Sequence, residues 1–201
     1  MDRERFRQQL DFILEIDKEK DILRQTHLAF GRRRENDAEH AWHLAIMTYL
    51  LSEYANEKID VAKTMLMVLI HDVVEVDAGD TYAYDAEGKE TEKAREEKAA
   101  DRLYGLLPPD QGTALRSLWE EFEAGETPEA RFAHVMDNFQ PLLLNDSNEG
   151  GDWKEHGISL GQPVRRNEKT AAGSAEIWEY MKEVLKKNAA RGSLKDDGTR
   201  I

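Results

Sequence analysis

Histidine and aspartate residues occur in this chain in an order that could hold one metal ion. The adjacent pair His71-Asp72 closes an apolar run over residues 65–70 and opens an acidic stretch. A neutral imidazole and a carboxylate can bind the same divalent ion when a rigid backbone points both inward, and the end of a buried helix supplies that rigidity. His40 lies upstream and Asp137 downstream, each in another apolar periodic segment. Three helices could therefore offer four ligands to one ion, namely His40, His71, Asp72 and Asp137.

This order of residues resembles that of the HD-domain phosphohydrolase superfamily. Members of the superfamily are all-helical enzymes that hold a divalent metal with four such residues and hydrolyse phosphoesters. The likeness spans roughly residues 8–145 and is most specific toward the branch that contains the bacterial 5′-deoxynucleotidases. Two motifs carry it, Arg33-x-Glu35-Asn36-x-x-Glu39-His40 and His71-Asp72-x-x-Glu75-x-x-x-Gly79-Asp80.

The four ligands that the resemblance implies suit one group of metals. Two imidazoles and two carboxylates leave coordination positions open on an octahedral ion, and these can bind water and a phosphoryl oxygen together. The ion would lower the pKa of its water and withdraw charge from the phosphoryl oxygens, so that hydrolysis can follow. We expect one divalent ion as cofactor, drawn from manganese, cobalt, iron, nickel and zinc, because magnesium binds imidazoles less well.

Two further carboxylates follow the His-Asp pair. In the resembled branch, the residues that match Glu75 and Asp80 lie beside the ion without being its main ligands. On a continued helix Glu75 would lie one turn beyond His71 and could orient or deprotonate the attacking water. Asp80 follows Gly79, whose flexibility lets the chain turn back toward the site. Asp80 could protonate the leaving alkoxide or contact the sugar, and the sequence leaves both catalytic roles open.

Phosphate binding is expected of an arginine. Arg33 matches the branch motif, and a guanidinium can grip two phosphate oxygens at once. The 5′-deoxynucleotidases also place an Arg-Trp pair ahead of this motif, whereas this chain has Arg24-Gln25-Thr26 in that region. The resemblance therefore does not extend to the selectivity for base or sugar.

Apolar periodicity places the candidate residues on helices. Residues 42–50 follow a candidate cap at Asp37, and a Thr-Pro start signal precedes the helix that carries Asp137. The nearly continuous apolar surface of residues 61–73 predicts a central helix buried on most sides. We expect an all-α fold, a single-domain helical bundle of the HD type with the metal site between helices.

The expected domain covers residues 1–192. Residues 145–173 are rich in Gly, Asn, Asp and Ser without a sustained period, which predicts a long polar loop and a candidate lid over the site. Residues 193–201 predict a frayed tail. The chain has 201 residues and no cysteine, so it must be stabilised by its core and not by disulfides.

Charge and composition limit the partners. The 28 basic and 41 acidic residues give a formal charge of −13, which repels a polyanion at long range, so we expect no nucleic acid polymer as substrate. A cation and a few arginines can still invert the local potential for a small phosphate ester. No apolar stretch approaches the roughly 20 residues that cross a bilayer, so we expect no membrane association and a cytoplasmic protein. The resemblance, together with exposed-looking aromatic residues, indicates a homodimer.

These expectations combine into one function and one alternative. We expect a 5′-nucleotidase-like, metal-dependent phosphohydrolase that cleaves a small phosphomonoester with metal-activated water. The leading substrate is a (deoxy)nucleoside 5′-monophosphate. The alternative is a non-catalytic nucleotide- or metal-binding regulatory module with the same fold, although a pure binder has no need of a carboxylate such as Glu75 beside the water.

Overall fold

Helices make up most of the chain in the computed structural model, which describes residues 1–31 and 33–201. The expected all-α class is confirmed, with one short two-stranded sheet added in the described residues. In chain order the elements are α1 (Arg3–Ile16), β1 (Leu23–His27), β2 (Arg34–Asn36), α2 (Asp37–Leu51), α3 (Val61–Ile70), α4 (Glu75–Ala78), α5 (Ala86–Tyr104), α6 (Pro109–Ala124), α7 (Pro128–Ser147), α8 (Gly151–Glu155), α9 (Gly161–Asn167), α10 (Thr170–Gly173) and α11 (Ala175–Ala190). Short 3₁₀ turns cover Asp17–Asp21, Ser52–Tyr54 and His71–Val74.

Local sequence signals set where the helices of the site begin. The Asn36 side chain caps α2 by accepting from the Glu39 backbone N–H, and the Glu39 carboxylate accepts from the Asn36 backbone N–H in return. The cap predicted at Asp37 was therefore wrong by one residue. Asp60 caps α3, and Thr127 caps α7 with a proline at the first helical position.

The centre of the fold is α3, which contacts α2, α6 and α7. Its inward side chains Met67 and Val68 are fully buried, as are Leu44 of α2 and Phe132 and Met136 of α7. Interiors of this kind are close-packed, so the three helices keep fixed positions and orientations relative to one another. That relation decides where their polar side chains meet.

The predicted central helix over residues 61–73 is confirmed as central but differs in two respects. The α-helix ends at Ile70, and the 3₁₀ turn His71–Val74 continues the chain. Two of its apolar side chains, Leu66 and Leu69, are about two fifths exposed, so one face of α3 is not covered. The 3₁₀ turn begins at His71, which the sequence analysis expects to be a metal ligand.

The long polar loop predicted over residues 145–173 was wrong. Helix α7 runs to Ser147, and α8, α9 and α10 occupy most of the remainder. Trp153, Ile158 and Leu160 of this segment are buried in the core. Each of these helices is too short to show a helical period in the sequence, which explains why the segment looked like a loop. It forms a packed wall beside the site and not an open lid.

The frayed tail predicted over residues 193–201 was also wrong. Leu194 is buried in the hydrophobic core. The Lys195 carbonyl accepts from the Leu160 backbone N–H at 2.9 Å, and the Lys195 backbone N–H donates to the Ile158 carbonyl at 2.9 Å. These backbone hydrogen bonds join the tail to the segment before α9, so the domain continues past residue 192.

Among the helices described, none is both long enough and apolar enough to span a membrane. The longest, α7, has 20 residues and includes the charged side chains of Arg131, Asp137 and Asp146.

Candidate metal centre

The four expected metal ligands come together in one buried cluster. His40 lies on α2, His71 and Asp72 lie in the turn after α3, and Asp137 lies on α7. His40 Nε2 is 3.2 Å from Asp137 Oδ1 and 4.0 Å from Asp72 Oδ2. His71 Nε2 is 3.1 Å from Asp72 Oδ1 and 3.8 Å from Asp137 Oδ1. The packing of the three helices brings all four side chains around one ion-sized position.

Hydrogen bonds on the far side of each ring orient the two histidines. His71 Nδ1 donates to the Val68 carbonyl at 2.8 Å, which leaves the lone pair on Nε2. That Nε2 is buried and has no hydrogen-bond partner among the residues described. His40 Nδ1 lies 3.2 Å from Gln140 Oε1, which orients the second ring in the same sense. Proteins commonly fix the tautomer of a metal-binding histidine in this way.

A buried polar network supports His40 from behind. Gln140 Nε2 donates to Glu35 Oε1 at 2.6 Å and lies 3.2 Å from His43 Nδ1. Gln140 is fully buried and Glu35 almost so. The amide oxygen of Gln140 is therefore held in the orientation that receives the His40 N–H. His43 contacts this network through the Gln140 amide group.

Protons balance the charge of the cluster when no metal is bound. Burial lowers the pKa of His71, but the nearby Asp72 and Asp137 outweigh it and raise the pKa to about 9. Burial and Arg24 also lower the pKa of His40, yet its carboxylate partners raise it overall. Burial raises the pKa of Asp137, but the two nearby histidines, His40 and His71, more than reverse this and hold it well below its usual range. The cluster requires positive charge, which a divalent ion can supply instead of protons.

The donor set fits a single divalent ion. His40, His71 and Asp72 each present a ligand atom within 4.8 Å of the others. Asp137 Oδ1 lies within 3.8 Å of both imidazole Nε2 atoms. Nitrogen and carboxylate ligands together suit the first-row transition metals better than magnesium. A bound ion would also satisfy the buried Nε2 of His71, which has no hydrogen-bond partner in the part of the chain described.

Arg24 completes the site, and the sequence reasoning gave it no role. It lies on β1, and its Nη1 donates to Asp72 Oδ2 at 2.6 Å and to Asp37 Oδ1 at 3.2 Å. Burial lowers the pKa of Arg24, but Asp72 and Glu75 outweigh burial and raise it, so the guanidinium stays charged. The signal that could have identified Arg24 was its place in Arg24-Gln25-Thr26, where the resembled enzymes have an Arg-Trp pair.

Glu75 lies beside the cluster, as its spacing from His71 predicted. It begins α4 directly after the 3₁₀ turn, and its ligand atom comes within 4.8 Å of those of Asp37 and Asp72. Its Oε2 is buried without a hydrogen-bond partner in the described part of the chain. Burial, followed by the charges of Asp72 and Asp37, raises the pKa of Glu75 well above the ordinary glutamate range. A carboxyl group in this environment is a stronger base than an exposed one.

Asp80 reaches the same region through a turn at Gly79. The φ of Gly79 is +75°, a conformation that residues with a Cβ rarely adopt. Asp80 then lines a cavity together with Arg24. Burial raises the pKa of Asp80, and the positive charge of Arg24 opposes this shift in part. The position suits both roles that the sequence left open for Asp80.

The structure does not bring Arg33 into the cluster. Its guanidinium pairs with the Glu39 carboxylate at 2.5 and 2.8 Å, and its side chain is 54% exposed. The phosphate-binding role expected of Arg33 stays a prediction, and in this structure an acid six residues along the chain, Glu39, pairs with both of its terminal nitrogens. Arg24 is the guanidinium that lies at the site.

The cavity next to the cluster combines aromatic rings with amide and charged groups. Tyr82 and Tyr84 meet edge to face with ring centroids 5.4 Å apart. Such a lining suits a small polar molecule with a flat ring. Lining residues include Arg24, Gln25, Asp80, Tyr82, Tyr84, Asn138, Asn145, Trp153 and Arg166.

Comparison with protein families gives one match, to the family described as HD domain, over residues 16–178. The matched region covers most of the chain and includes every residue of the cluster. The 5′-deoxynucleotidase HDDC2 of Homo sapiens is 30% identical over 112 residues, which are 56% of this chain and 53% of that protein. The protein of the same name from Xenopus laevis is 34% identical over 110 residues, 54% of this chain and 53% of that protein. The chain spans about half the length of the curated relatives it matches.

Solved structures extend the likeness over nearly the whole chain. A predicted metal-dependent phosphohydrolase from Magnetospirillum magnetotacticum MS-1 superposes with a TM-score of 0.90 at 47% identity, covering 94% of this chain and 95% of that one. A conserved hypothetical protein from Pyrococcus furiosus superposes with a TM-score of 0.61 at 24% identity, covering 90% of this chain and 99% of that one. The second likeness concerns the fold alone.

We expect the protein to bind one divalent ion per chain and to release a proton as it does so. His71 has a raised pKa of about 9 and is therefore protonated near neutral pH, whereas a histidine ligand must be neutral. Protons compete with the metal below that pKa, so the affinity should fall as the pH falls. Calorimetric titration with Mn²⁺, in buffers that differ in ionisation enthalpy, counts both the ions and the protons.

Two variants control this titration. Asp72→Ala should abolish tight binding, because it removes a ligand. Glu155→Gln should retain it, because Glu155 belongs to a separate group with His27 and Asp152. Binding without proton release, or loss of the ion in Glu155→Gln but not in Asp72→Ala, would contradict the assignment.

Proposed function

Because this chain belongs to the HD domain family, we propose that it is a metal-dependent phosphohydrolase whose substrate is a small phosphomonoester. The observation that carries the proposal is the pair of side chains found on the buried side of the cluster. A carboxyl group with a raised pKa, Glu75, and a charged guanidinium, Arg24, both lie against the candidate ligand Asp72. A site that only held a metal would need neither a base nor a phosphate-binding cation at that position.

The ion, when bound, supplies Lewis acidity, which lowers the pKa of water and draws charge from phosphoryl oxygens. We propose His40, His71, Asp72 and Asp137 as the residues that hold it. The choice among manganese, cobalt, iron, nickel and zinc rests on the mixed nitrogen and oxygen donors, which favour these metals over magnesium.

The residues of the chain supply proton transfer and orientation. Glu75 accepts a proton from the attacking water as the new bond from water oxygen to phosphorus forms. The bond from phosphorus to the ester oxygen breaks, and that oxygen takes up a proton as the alcohol leaves. Asp80 lies close enough to the cavity to give this proton or to hold a sugar hydroxyl. Arg24 binds the phosphoryl oxygens with its guanidinium, which matches their geometry.

A (deoxy)nucleoside 5′-monophosphate is the substrate that we propose first. The relatives of known name are 5′-deoxynucleotidases, which supports this class. The cavity beside Arg24 offers the rings of Tyr84 and Trp153 for the base and the amide of Gln25 for polar atoms of the substrate. Gln25 follows the arginine at the place where the resembled enzymes have a tryptophan, so the selectivity for the sugar need not follow theirs.

We also propose that two copies of the chain form a homodimer through one face of α2 and α3. The exposed positions of α2 are all apolar or aromatic, and so are those of α3. An uninterrupted apolar face is unusual on a chain with a formal charge of −13. Self-association around a twofold axis places such a face against its own copy. The residues of this face are Trp42, Ile46, Tyr49, Leu50, Ala62, Leu66 and Leu69.

Glu75→Gln should separate metal binding from turnover. The amide keeps the shape of the side chain but cannot take the proton, so we expect kcat to fall by about 10²–10⁴-fold, the usual contribution of a positioned base. Metal content should remain that of the wild type. Phosphate release from a panel of nucleoside 5′-monophosphates with Mn²⁺, Co²⁺ or Mg²⁺ measures the rate.

The matched control is Asp77→Asn, two residues along, whose carboxylate pairs with Arg102 at the surface. It should retain the wild-type rate. An unchanged rate in Glu75→Gln would remove Glu75 from the mechanism. Absence of phosphate release by the wild-type protein across the panel would favour the non-catalytic binding module instead.

Arg24→Lys and Arg33→Lys together test which arginine binds phosphate. Lysine keeps the charge but loses the planar fork, so Arg24→Lys should lower kcat/KM by about tenfold or more, mainly through KM. Arg33→Lys should stay within about twofold of the wild type, because Arg33 pairs with Glu39 away from the cluster. The opposite order of effects would restore Arg33 as the phosphate ligand.

If the proposed interface is correct, one charged side chain placed in the apolar face should convert the dimer into a monomer and halve its molar mass. Light scattering at micromolar concentration should give a dimer for the wild type and a monomer for Ile46→Glu, because a carboxylate would be buried in the apolar face. Thr113→Glu places the same charge on an exposed position of α6 and should remain dimeric. A monomeric wild-type protein, or a dimeric Ile46→Glu, would refute this interface.

A further inference from the structure

A second cavity adjoins the metal cluster and is lined by cationic side chains. Asp137 forms part of its wall, together with Lys89 of α5 and with Arg165 and Arg166 of α9. Within residues 1–31 and 33–201, none of these three cations has a carboxylate oxygen within 4.0 Å. Acidic residues outnumber basic ones by 41 to 28 in this chain, so acidic partners are abundant. Three cations without such a partner at one place indicate a site for an anion.

The second cavity adjoins the first. Both cavities share the lining residues Ala83, Tyr84, Asn138 and Arg166. The first cavity also includes Arg24, which we propose as the phosphate ligand. A molecule that occupies both cavities would contact Tyr84 and Arg166, and Asp137 of the cluster also lines the second one.

The two arginines lie on a segment that the rest of the fold holds in place. The Gly161 backbone N–H at the start of α9 donates to the Asp197 carboxylate at 3.0 Å. Within α9, the Asn167 side chain donates to the Pro163 carbonyl at 2.7 Å. Asn167 and Pro163 are themselves buried. Because α9 is held by its contact with Asp197 and by the burial of Pro163 and Asn167, its arginines line the cavity without the cost of ordering a loop.

The chemistry of the lining identifies the anion as a phosphoryl group. Two guanidinium groups and one ammonium group match the double charge and several oxygens of a phosphoryl group better than the single charge of a carboxylate. The negative charge of the whole chain would repel such a group elsewhere. We propose that Lys89, Arg165 and Arg166 bind a second phosphoryl group of the same substrate molecule. The preferred substrates are then phosphomonoesters with two separate phosphoryl groups, such as nucleoside 3′,5′-bisphosphates. The inference rests on the proposed phosphohydrolase function.

This inference is tested by the enzyme's selectivity between substrates that carry one phosphoryl group and substrates that carry two. Initial rates with Mn²⁺ give kcat/KM for a nucleoside 3′,5′-bisphosphate and for the 5′-monophosphate of the same nucleoside. We expect the wild-type ratio to favour the bisphosphate, and the double variant Lys89→Gln/Arg165→Gln to lower that ratio by about tenfold or more, as the loss of charge-assisted hydrogen bonds requires. Both residues are exposed, so the variant should fold. The control Arg7→Gln/Lys20→Gln removes the same charge from the surface of α1 and the turn after it, and should keep the wild-type ratio.

A binding measurement separates this inference from the proposed activity. Calorimetry with inorganic pyrophosphate needs no turnover and should show about tenfold weaker binding in Lys89→Gln/Arg165→Gln than in the wild type. If no nucleotide is hydrolysed, the proposed function fails, and this affinity alone decides whether the cationic site exists. Equal pyrophosphate affinity in both proteins would overturn it. An equal selectivity ratio with weakened pyrophosphate binding would also overturn it, because the site would then serve a free anion and not the substrate.

Discussion

The structure depends on how one buried group of charges is balanced. Four carboxyl groups, those of Asp37, Asp72, Glu75 and Asp137, lie close together, and within the described chain Arg24 is the permanent cation that pairs with two of them. Burying carboxylates without compensation is costly. Protons therefore move onto the histidines and onto Glu75, as the raised pKa values of these groups indicate. A divalent ion replaces those protons, so metal binding and proton release are coupled at this site.

The same balance links the metal centre to the chemistry that we propose. Arg24 neutralises Asp72 on one side while the ion would neutralise it on the other, so the phosphate-binding cation and the metal share one carboxylate. Glu75 lies next to this pair, so the proposed base and the proposed phosphate-binding cation both lie against the candidate ligand Asp72. The short pair β1 and β2 is small, yet it fixes Arg24 and Glu35 at the start of the helix that carries His40. The neighbouring cationic cavity adds the positive charges of Lys89, Arg165 and Arg166 near the cluster, in a chain whose net charge is negative.

Much of this arrangement could be predicted from the sequence. Apolar periodicity and caps predicted the central helices, because burial on one face imposes a 3.6-residue period. The spacing of Glu75 from His71 and the glycine before Asp80 predicted where those carboxylates lie. Arg24 was missed because its partners are far along the chain, 48 residues away in the case of Asp72.

Other errors have equally local causes. Arg33 was assigned to phosphate on a motif match, which does not show that Glu39 pairs with its guanidinium. The segment over residues 145–173 and the tail are built from helices of four to seven residues and from backbone hydrogen bonds, which leave little periodic signal in a sequence. We propose that the four-residue cluster, and no other acidic group among the described residues, holds the metal. Anomalous diffraction from a crystal soaked in Mn²⁺ tests it most directly. We expect one peak, bound by His40, His71, Asp72 and Asp137. A peak at Asp37 and Glu75, or at His27 and Asp152, with none at the cluster would refute this assignment.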